Sequence, residues 1–294
     1  MFLLTLLALP RSVSICTLVF VSGASVLQIP DNLSFDEAST IPLALGTAAC
    51  GLYQKKLPQR GGCGLSPPWE SGGAGKYSGQ PILIIGGSSS VGQFGEQLVY
   101  SFYVSSLTCV LAIQLARLSG FSPIITTSSE SNVEYCKAAG ATHVVDYRAI
   151  PYSSLPEVVA GVTSAPVSYI FDSISSEDSQ KACWKTLAPN GQLVVTLQPV
   201  VGQPGTEAED GKRLLQVFGN VNVDENKEFG TSLYSKLTAL LKAGAIKVRT
   251  ATHYEQQPTD VLVSASQIKS RYSLMVWQGY LKVSNSSGRK RLAV

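Results

Sequence analysis

The sequence predicts an α/β fold with a doubly wound parallel sheet. Short, β-branched apolar runs alternate with helical patterns between residues 81 and 197, and strands that alternate with helices at this spacing are typical of parallel sheets. Hydrophobic residues make up 45% of the 294 residues and charged residues only 15%. The chain can therefore build a large core, in one large or two ordinary domains, and disorder is not expected.

Charge and cysteine usage exclude several classes of function. The net charge of +3 is too small to indicate a nucleic-acid partner. With only His143 and His253 in the chain, a His-rich metal site is excluded, and we expect no metal. No cysteine belongs to a C-x-x-C pair, so we expect reduced, buried thiols in a cytoplasmic protein; the six are Cys16, Cys50, Cys63, Cys109, Cys136 and Cys183.

Residues 1–27 are apolar but do not have the pattern of a membrane segment. The run has no basic beginning, and Arg11 interrupts it before it reaches the roughly 18 residues that span a bilayer. A signal or anchor remains an alternative, and with it a membrane-tethered protein. A pair of buried strands, or residues outside the mature fold, is the favoured interpretation, so a membrane partner is not expected.

The next segment predicts two helices and a loop. Ser34 and Glu37 form a capping box for a helix over Phe35–Ile41. A second helix, Leu43–Gln54, carries small residues that permit close packing. Lys55–Gly79 is rich in glycine and proline and predicts a long surface loop.

Residues 80–95, QPILIIGGSSSVGQFG, are the centre of the prediction. Pro81–Ile85 predicts a strand buried on both faces, a glycine turn follows, and then a helix begins. This order places a pyrophosphate at a helix N-terminus in dinucleotide-binding folds. Because the spacing departs from G-x-G-x-x-G, a tight turn without a ligand stays an alternative. The candidate phosphate-binding residues are Gly86, Gly87, Ser88, Ser89, Ser90, Val91 and Gly92.

The alternation continues after this motif. Tyr100–Leu111 is poor helix material because it is β-branched, aromatic and serine-rich. Asp172 ends a strand on the ligand side of such a sheet, so ligand contact and helix capping are equal alternatives for it. The remaining predicted strands are Pro123–Thr127, Ala141–Tyr147, Val167–Asp172 and Gln192–Leu197. The predicted helices are Ala112–Leu118, Ser131–Ala139, Pro156–Val162, Ser176–Leu187 and an amphipathic Phe229–Gly244.

Several segments resemble the zinc-free medium-chain dehydrogenases/reductases, above all the fungal trans-acting enoyl reductases that assist polyketide synthesis. They include IPDNLSFDEASTIPLALGTAACGLYQ, PPWESGGAGKYSGQPILIIGGSSSVGQF, AIQLARLSGFSPIITTSSESN and GATHVVDYR, within residues 18–247. The resemblance implies a GroES-like β domain and a Rossmann domain that enclose NADPH. It divides this chain into a GroES-like remnant at 1–42, a dinucleotide-binding domain at 43–215 and a C-terminal return segment at 216–294.

Three departures from that family are visible. The long stretch that supplies most of the GroES-like domain is missing ahead of residue 17. Joining Phe94 directly to Ala112 gives GGSSSVGQFAIQLARLSG, which resembles the family without a gap. We therefore expect residues 95–111 to be an insertion, such as an in-frame translated intron. The end after Lys247 also matches poorly.

The cofactor prediction combines residues and resemblance. NAD enzymes place an acidic residue where the second strand ends, and here that residue is Ser128, although Glu130 two positions later favours NADH. Tyr147 matches a family position that contacts the 2′-phosphate, whereas Asn132 stands where related quinone reductases have a lysine. NADPH is the expected cofactor, with no cation identified as a phosphate clamp.

The resemblance also implies a function. Thr47 and the backbone after Leu197 would lie near the nicotinamide, although Thr47 could simply bond its own helix and Leu197 could be core. We expect hydride transfer from NADPH to an activated C=C bond of an enoyl thioester or quinone-like small molecule, with a polyketide synthase as a candidate partner. The catalytic residues are unassigned. A non-catalytic nucleotide-binding remnant is the alternative.

Overall fold

The structure, a computed structural model, describes residues 2–5, 18–21, 28–33, 37–38, 40–55, 61–88 and 108–247. Near the N-terminus, β1 (Phe2–Thr5) and β2 (Leu18–Val21) pair antiparallel. The predicted pair of strands is therefore present in the backbone. Ser34 of the predicted capping box, and residues 35, 36 and 39 of the helix predicted beside it, lie outside the described residues.

A six-stranded sheet with all-parallel pairing forms the centre of the fold, in the order β5-β4-β3-β6-β7-β8. The chain adds β4 and β5 on one side of β3 and then crosses to add β6, β7 and β8 on the other, which confirms the doubly wound prediction. The strands are β3 (Ile82–Ser88), β4 (Ile124–Ser128), β5 (His143–Asp146), β6 (Tyr169–Asp172), β7 (Gln192–Val195) and β8 (Arg213–Gln216).

Helices cover both faces of this sheet. The helical stretch over residues 108–118 is called α2 here. Short 3-10 turns, Glu130–Asn132 and Tyr152–Ser154, precede two of the helices. The other helices are α1 (Ile41–Tyr53), α3 (Val133–Ala139), α4 (Leu155–Val162), α5 (Glu177–Thr186) and α6 (Asp224–Lys242). Within the described residues, no helix is long and apolar enough to cross a membrane.

The core has two layers because successive side chains of a strand point to opposite faces. Ile82 and Ile84 of β3 pack in one cluster with α1, α2 and α6. Leu83 and Ile85 pack in the other with α4 and α5. The prediction of a strand buried on both faces is confirmed, since all four side chains are fully buried.

Helix α1 approaches the sheet closely at one glycine. A Cβ placed on Gly51 would lie 2.4 Å from Cε2 of Phe171 on β6 and 3.1 Å from Cγ1 of Val194 on β7. No larger residue fits without displacing the helix or the ring. This contact explains why the small residues of this segment permit close packing.

The structure differs from the sequence predictions in three places. Strand β3 continues through Ser88, so Gly86–Ser88 belong to the strand and not to a turn after it. Residues 108–111 are helical although the composition of Tyr100–Leu111 predicts poor helix; Cys109 and Leu111 are buried in the core, and tertiary packing outweighs intrinsic propensity there. Strand β8 is not predicted by the sequence, because polar Arg213 and Gln216 frame only two buried leucines.

Candidate cofactor site

The candidate site lies at the carboxyl edge of the parallel sheet. The strand order reverses between β3 and β6, and open α/β sheets bind ligands in the crevice at such a point. Ile85 of β3 pairs with Asp172, the last residue of β6. Gly86 of β3 and Ser173, the first residue after β6, therefore lie side by side.

Gly86 has a backbone conformation that glycine alone adopts without strain. Its φ is +92°, and an added Cβ would lie 2.7 Å from Cδ1 of Ile174. Its N–H donates to Oγ1 of Thr127 at 3.0 Å. Gly87 follows it in β3, and Ser88 pairs with Ser128 across a register shift. The other candidate phosphate-binding residues, Ser89, Ser90, Val91 and Gly92, lie outside the described residues.

Replacing Gly86 by alanine is expected to lower the free energy of unfolding by about 1–3 kcal/mol, because alanine is strained at this φ. Urea denaturation measures the change. The matched control is Gly161→Ala in α4, where an added Cβ meets nothing within 4 Å; it is expected to stabilise by about 0.5–1 kcal/mol. Equal effects of the two substitutions would contradict the assignment of strain to Gly86.

The residues predicted to surround the 2′-phosphate come together between the ends of β4 and β5. The N–H of Tyr147 donates to the carbonyl oxygen of Ser128 at 3.2 Å. Nδ2 of Asn132 donates to Oγ of Ser129 at 3.0 Å. Ser128 itself is buried and its hydroxyl donates to the carbonyl oxygen of Ser129. Ser129 is buried as well, so the polar side chains that reach the surface here are those of the half-buried Asn132 and Tyr147.

Sequence reasoning missed one cation at this place. Cζ of Arg148 lies 5.9 Å from the centroid of the Tyr147 ring, within cation–π distance, and Arg148 is exposed. The signal in the sequence was the arginine directly after Tyr147. Glu130, whose carboxylate favours NADH, is also exposed, at the start of the 3-10 turn after β4.

The residues predicted near the nicotinamide lie toward the other half of the sheet. Oγ1 of Thr47 donates to the carbonyl oxygen of Leu43 at 2.9 Å, as in the alternative that it bonds its own helix. Thr47 also packs closely on Gly219, three residues after β8. Leu197 is 44% exposed two residues after β7, so it is not a core residue.

Asp172 holds the turn that leaves β6. Its Oδ1 accepts hydrogen bonds from the N–H groups of Ile174, at 3.0 Å, and Ser175, at 2.8 Å. Its Oδ2 accepts from the hydroxyl of Ser179 on α5 at 2.7 Å. The carboxyl is fully buried, and this burial raises the pKa of Asp172 to about 6. These contacts hold the carboxylate in the turn before α5. The capping alternative is wrong, because the N-cap of α5 is Ser176, whose side chain accepts from the Ser179 N–H.

Ser175 extends this turn to the end of β7. Its hydroxyl donates to the carbonyl oxygen of Asp172 at 2.8 Å and accepts the N–H groups of Thr196, at 3.0 Å, and Leu197, at 3.3 Å. Asp172 therefore positions the backbone beside Leu197 through one intervening serine. Sequence reasoning missed Ser175, because the feature that distinguishes it, a positive φ of +53°, is visible only in the structure.

With this geometry described, the similarity to known proteins is informative. Residues 109–223 match the sequence model of the family described as zinc-binding dehydrogenase. This segment is therefore similar to the zinc-binding dehydrogenases. The match contains β4 to β8 and begins at residue 109, within the segment 95–111.

The chain has curated relatives among fungal trans-enoyl reductases, which confirms the resemblance. Trans-enoyl reductase himH of Aspergillus japonicus is 35% identical over 184 residues, 61% of this chain and 44% of the relative. TOXD of Cochliobolus carbonum is 32% identical over 59% of this chain and 48% of its own. LovC of Aspergillus terreus, the enoyl reductase component of lovastatin nonaketide synthase, is 25% identical over 74% and 56%. The chain spans about half the length of these relatives.

Solved structures agree on the fold. JamJ enoyl reductase superposes with a TM-score of 0.56 at 19% identity, over 87% of this chain and 65% of its own. A zinc-dependent alcohol dehydrogenase protein from Rhizobium etli gives 0.56 at 20% identity, over 80% and 60%. At this identity, the likeness shows the fold alone, which is a Rossmann-type α/β fold.

The family name includes zinc, but the described part of this chain holds no group of three or more His, Cys, Asp or Glu that could bind a metal. Its described cysteines are outside any disulfide and are buried, as expected: Cys50, Cys63, Cys109, Cys136 and Cys183. Burial raises the pKa of the Cys109 thiol, which therefore stays protonated and is a poor metal ligand. No chemical step is assigned to a metal.

Proposed function

We propose that the chain belongs to an NADPH-dependent enoyl reductase that reduces an activated carbon–carbon double bond. The observation that carries this proposal is the 35% identity to a fungal trans-enoyl reductase over 184 residues. The parallel sheet supplies a matching dinucleotide crevice between β3 and β6. An enoyl thioester is the proposed substrate class, a polyketide synthase the proposed partner, and the cytoplasm the proposed location.

The described residues fit a nicotinamide dinucleotide. Gly86 lies where the strand order reverses, and Ile174 packs so closely on its backbone that a glycine is required there, as at the glycines of dinucleotide-binding strands. We assign the pyrophosphate to residues 86–92, the 2′-phosphate to Ser128, Asn132 and Tyr147, and the nicotinamide side to Thr47 and Leu197. When bound, NADPH supplies the hydride. The described residues orient it, while the proton donor is unassigned.

The preference for NADPH rests on what ends strand β4. Ser128 is there, and its carbonyl oxygen accepts the Tyr147 N–H, so no carboxylate is aimed at the ribose from this position. A carboxylate would bind the 2′-hydroxyl of NADH and repel the 2′-phosphate of NADPH. Glu130 is two residues later and exposed, which leaves it in solvent rather than at the strand end.

The first test is a fluorescence titration of the 294-residue chain with NADPH and with NADH. We expect NADPH to bind about tenfold more tightly, corresponding to about 1.4 kcal/mol. The oxidation of NADPH in the presence of crotonyl-CoA, followed at its near-ultraviolet absorbance band, then tests enoyl reduction. Binding that prefers NADH, or no binding of either nucleotide, would reject the cofactor assignment.

A non-catalytic nucleotide-binding protein is the second candidate. The chain spans about half the length of its curated relatives, and groups that act on the substrate in those proteins can come from the other half. Tight NADPH binding without any oxidation by crotonyl-CoA would favour this candidate.

The domain limits are also proposed. We propose a dinucleotide-binding domain over 43–215, whose end falls within β8. Residues 1–42 are the proposed remnant of a GroES-like domain, and 216–294 are the proposed return segment toward it. Helix α6 of the return segment buries Leu233 and Leu237 in the core that α1 and α2 share. Helix α6 therefore also stabilises the dinucleotide-binding domain. The last four residues of the proposed insertion 95–111, residues 108–111, form the first turn of α2.

A further inference from the structure

The proposed 2′-phosphate site needs positive charge. A phosphate monoester carries about −1.5 to −2 charges near pH 7, and hydrogen bonds from cations to phosphate are about twice as strong as neutral ones. Ser128, Asn132 and Tyr147 bear no charge. A cation nearby therefore decides whether the site distinguishes a phosphate from a hydroxyl.

Arg148 is placed to supply that charge. It follows Tyr147, whose N–H is bonded to the end of β4 at Ser128, and its guanidinium lies over the Tyr147 ring at 5.9 Å. Its own N–H donates to Oδ1 of Asp146 at 2.9 Å. The Asp146 carboxylate is thus engaged with the backbone of this turn, and Arg148 is exposed to solvent.

The neighbouring charges leave Arg148 as the available cation. Among the ion pairs of the described residues, none includes Arg148. Lys137 on α3 is paired with Glu134 at 3.0 Å, and so its charge is already compensated. Two carboxylates near this turn would oppose a phosphate. Glu130 is exposed to solvent, where its field is screened, and Asp146 accepts the Arg148 N–H.

We infer that Arg148, stacked on Tyr147, is the residue that selects NADPH over NADH by binding the 2′-phosphate. The inference rests on the proposed function. It assigns to Arg148 the role that a lysine at the position of Asn132 has in related quinone reductases. A guanidinium suits the place because it stacks on an aromatic ring and donates to a phosphate at the same time.

The test compares Arg148→Ala with the matched control Lys137→Gln, which removes one positive charge from the same half of the sheet. Dissociation constants for NADPH and NADH are measured by fluorescence, and 2′,5′-ADP and ADP are measured as competitors. We expect Arg148→Ala to weaken NADPH and 2′,5′-ADP about tenfold and to leave NADH and ADP unchanged. Lys137→Gln should leave all four unchanged. Unchanged NADH binding also shows that the variant is folded.

The outcomes separate the two proposals. Equal loss of NADPH and NADH, or the same loss in Lys137→Gln, would overturn the role of Arg148 while dinucleotide binding stands. Equal binding of NADPH and NADH by the unsubstituted chain would also overturn the role of Arg148. If the unsubstituted chain binds neither, the proposed function and the inference fall together. Arg148→Lys, which keeps the charge but not the stacking, should retain part of the preference.

Discussion

Replacing Phe171 by alanine is expected to lower the free energy of unfolding by about 3–5 kcal/mol, because it truncates the largest fully buried side chain of the described residues. Phe171 lies on β6 beside the central strand, and its side chain is fully buried. Its ring fills the space between the sheet and Gly51 of α1. Truncation leaves a cavity that the closely packed helix and strands cannot fill by collapsing.

Gly51 supplies a way to test that explanation. Gly51→Ala alone should destabilise the protein, because the new methyl would meet the ring at 2.4 Å. Combined with Phe171→Ala, the same methyl enters the cavity and should recover about 1 kcal/mol. Urea denaturation of the unsubstituted chain, the two single variants and the double variant gives the coupling. Phe218→Ala is the control. Because Phe218 is 41% exposed, this substitution should lower the free energy of unfolding by less than about 1 kcal/mol. If the effects of the substitutions at 51 and 171 were additive, the packing explanation would be contradicted.

Replacing Asp172 by asparagine is expected to change how stability depends on pH. Burial raises the pKa of Asp172 to about 6, whereas an unfolded aspartate titrates near pH 4. Between these values the folded state keeps a proton that the unfolded state has released, so folding is favoured at the acid end. This contribution is fully present below about pH 4 and is lost as the pH rises through about 6; it amounts to about 3 kcal/mol.

The amide side chain introduced by Asp172→Asn would keep an acceptor for the N–H groups of Ile174 and Ser175 and cannot ionise. The difference in unfolding free energy between Asp172→Asn and the unsubstituted chain should therefore grow in favour of the variant from about pH 4 to about pH 7. Asp172→Ala should instead destabilise at every pH by about 2–4 kcal/mol, because three donors lose their acceptor. A pH-independent difference for Asp172→Asn would show that the carboxyl is ionised throughout.

Much of the fold follows from local pattern, and the exceptions have physical causes. Strands β3 to β7 and helices α3 to α6 are predictable because each carries its own periodicity and its own end signals. Strand β8 escapes prediction because Leu214 and Leu215 are too short a run to signal a strand until β7 is there to pair with them. Residues 108–111 resist prediction for a similar reason, since their helix depends on burial.

The candidate site was only partly accessible to sequence reasoning. Gly86 could be selected because a glycine after an apolar strand is a strong local signal. That Asp172 holds a turn while Ser176 caps α5 was decided by the three donors around the Asp172 carboxyl and by the bond from the Ser179 N–H to Ser176. Arg148 was missed because a cation in a surface turn has no meaning until the ring beneath it and the strand end beside it are known.

The sequence by itself determined the class of fold, the position of the glycine-containing strand end and the resemblance to enoyl reductases, because strand periodicity, end signals and motifs are properties of neighbouring residues. Only the tertiary structure decided which cation lies over the Tyr147 ring, which carboxylate holds a turn and where α1 touches the sheet. Those outcomes depend on groups far apart in the chain: Phe171 meets Gly51, and Tyr147 is held at Ser128. Parallel pairing with crossover helices brings such groups together, and local sequence does not encode those distances.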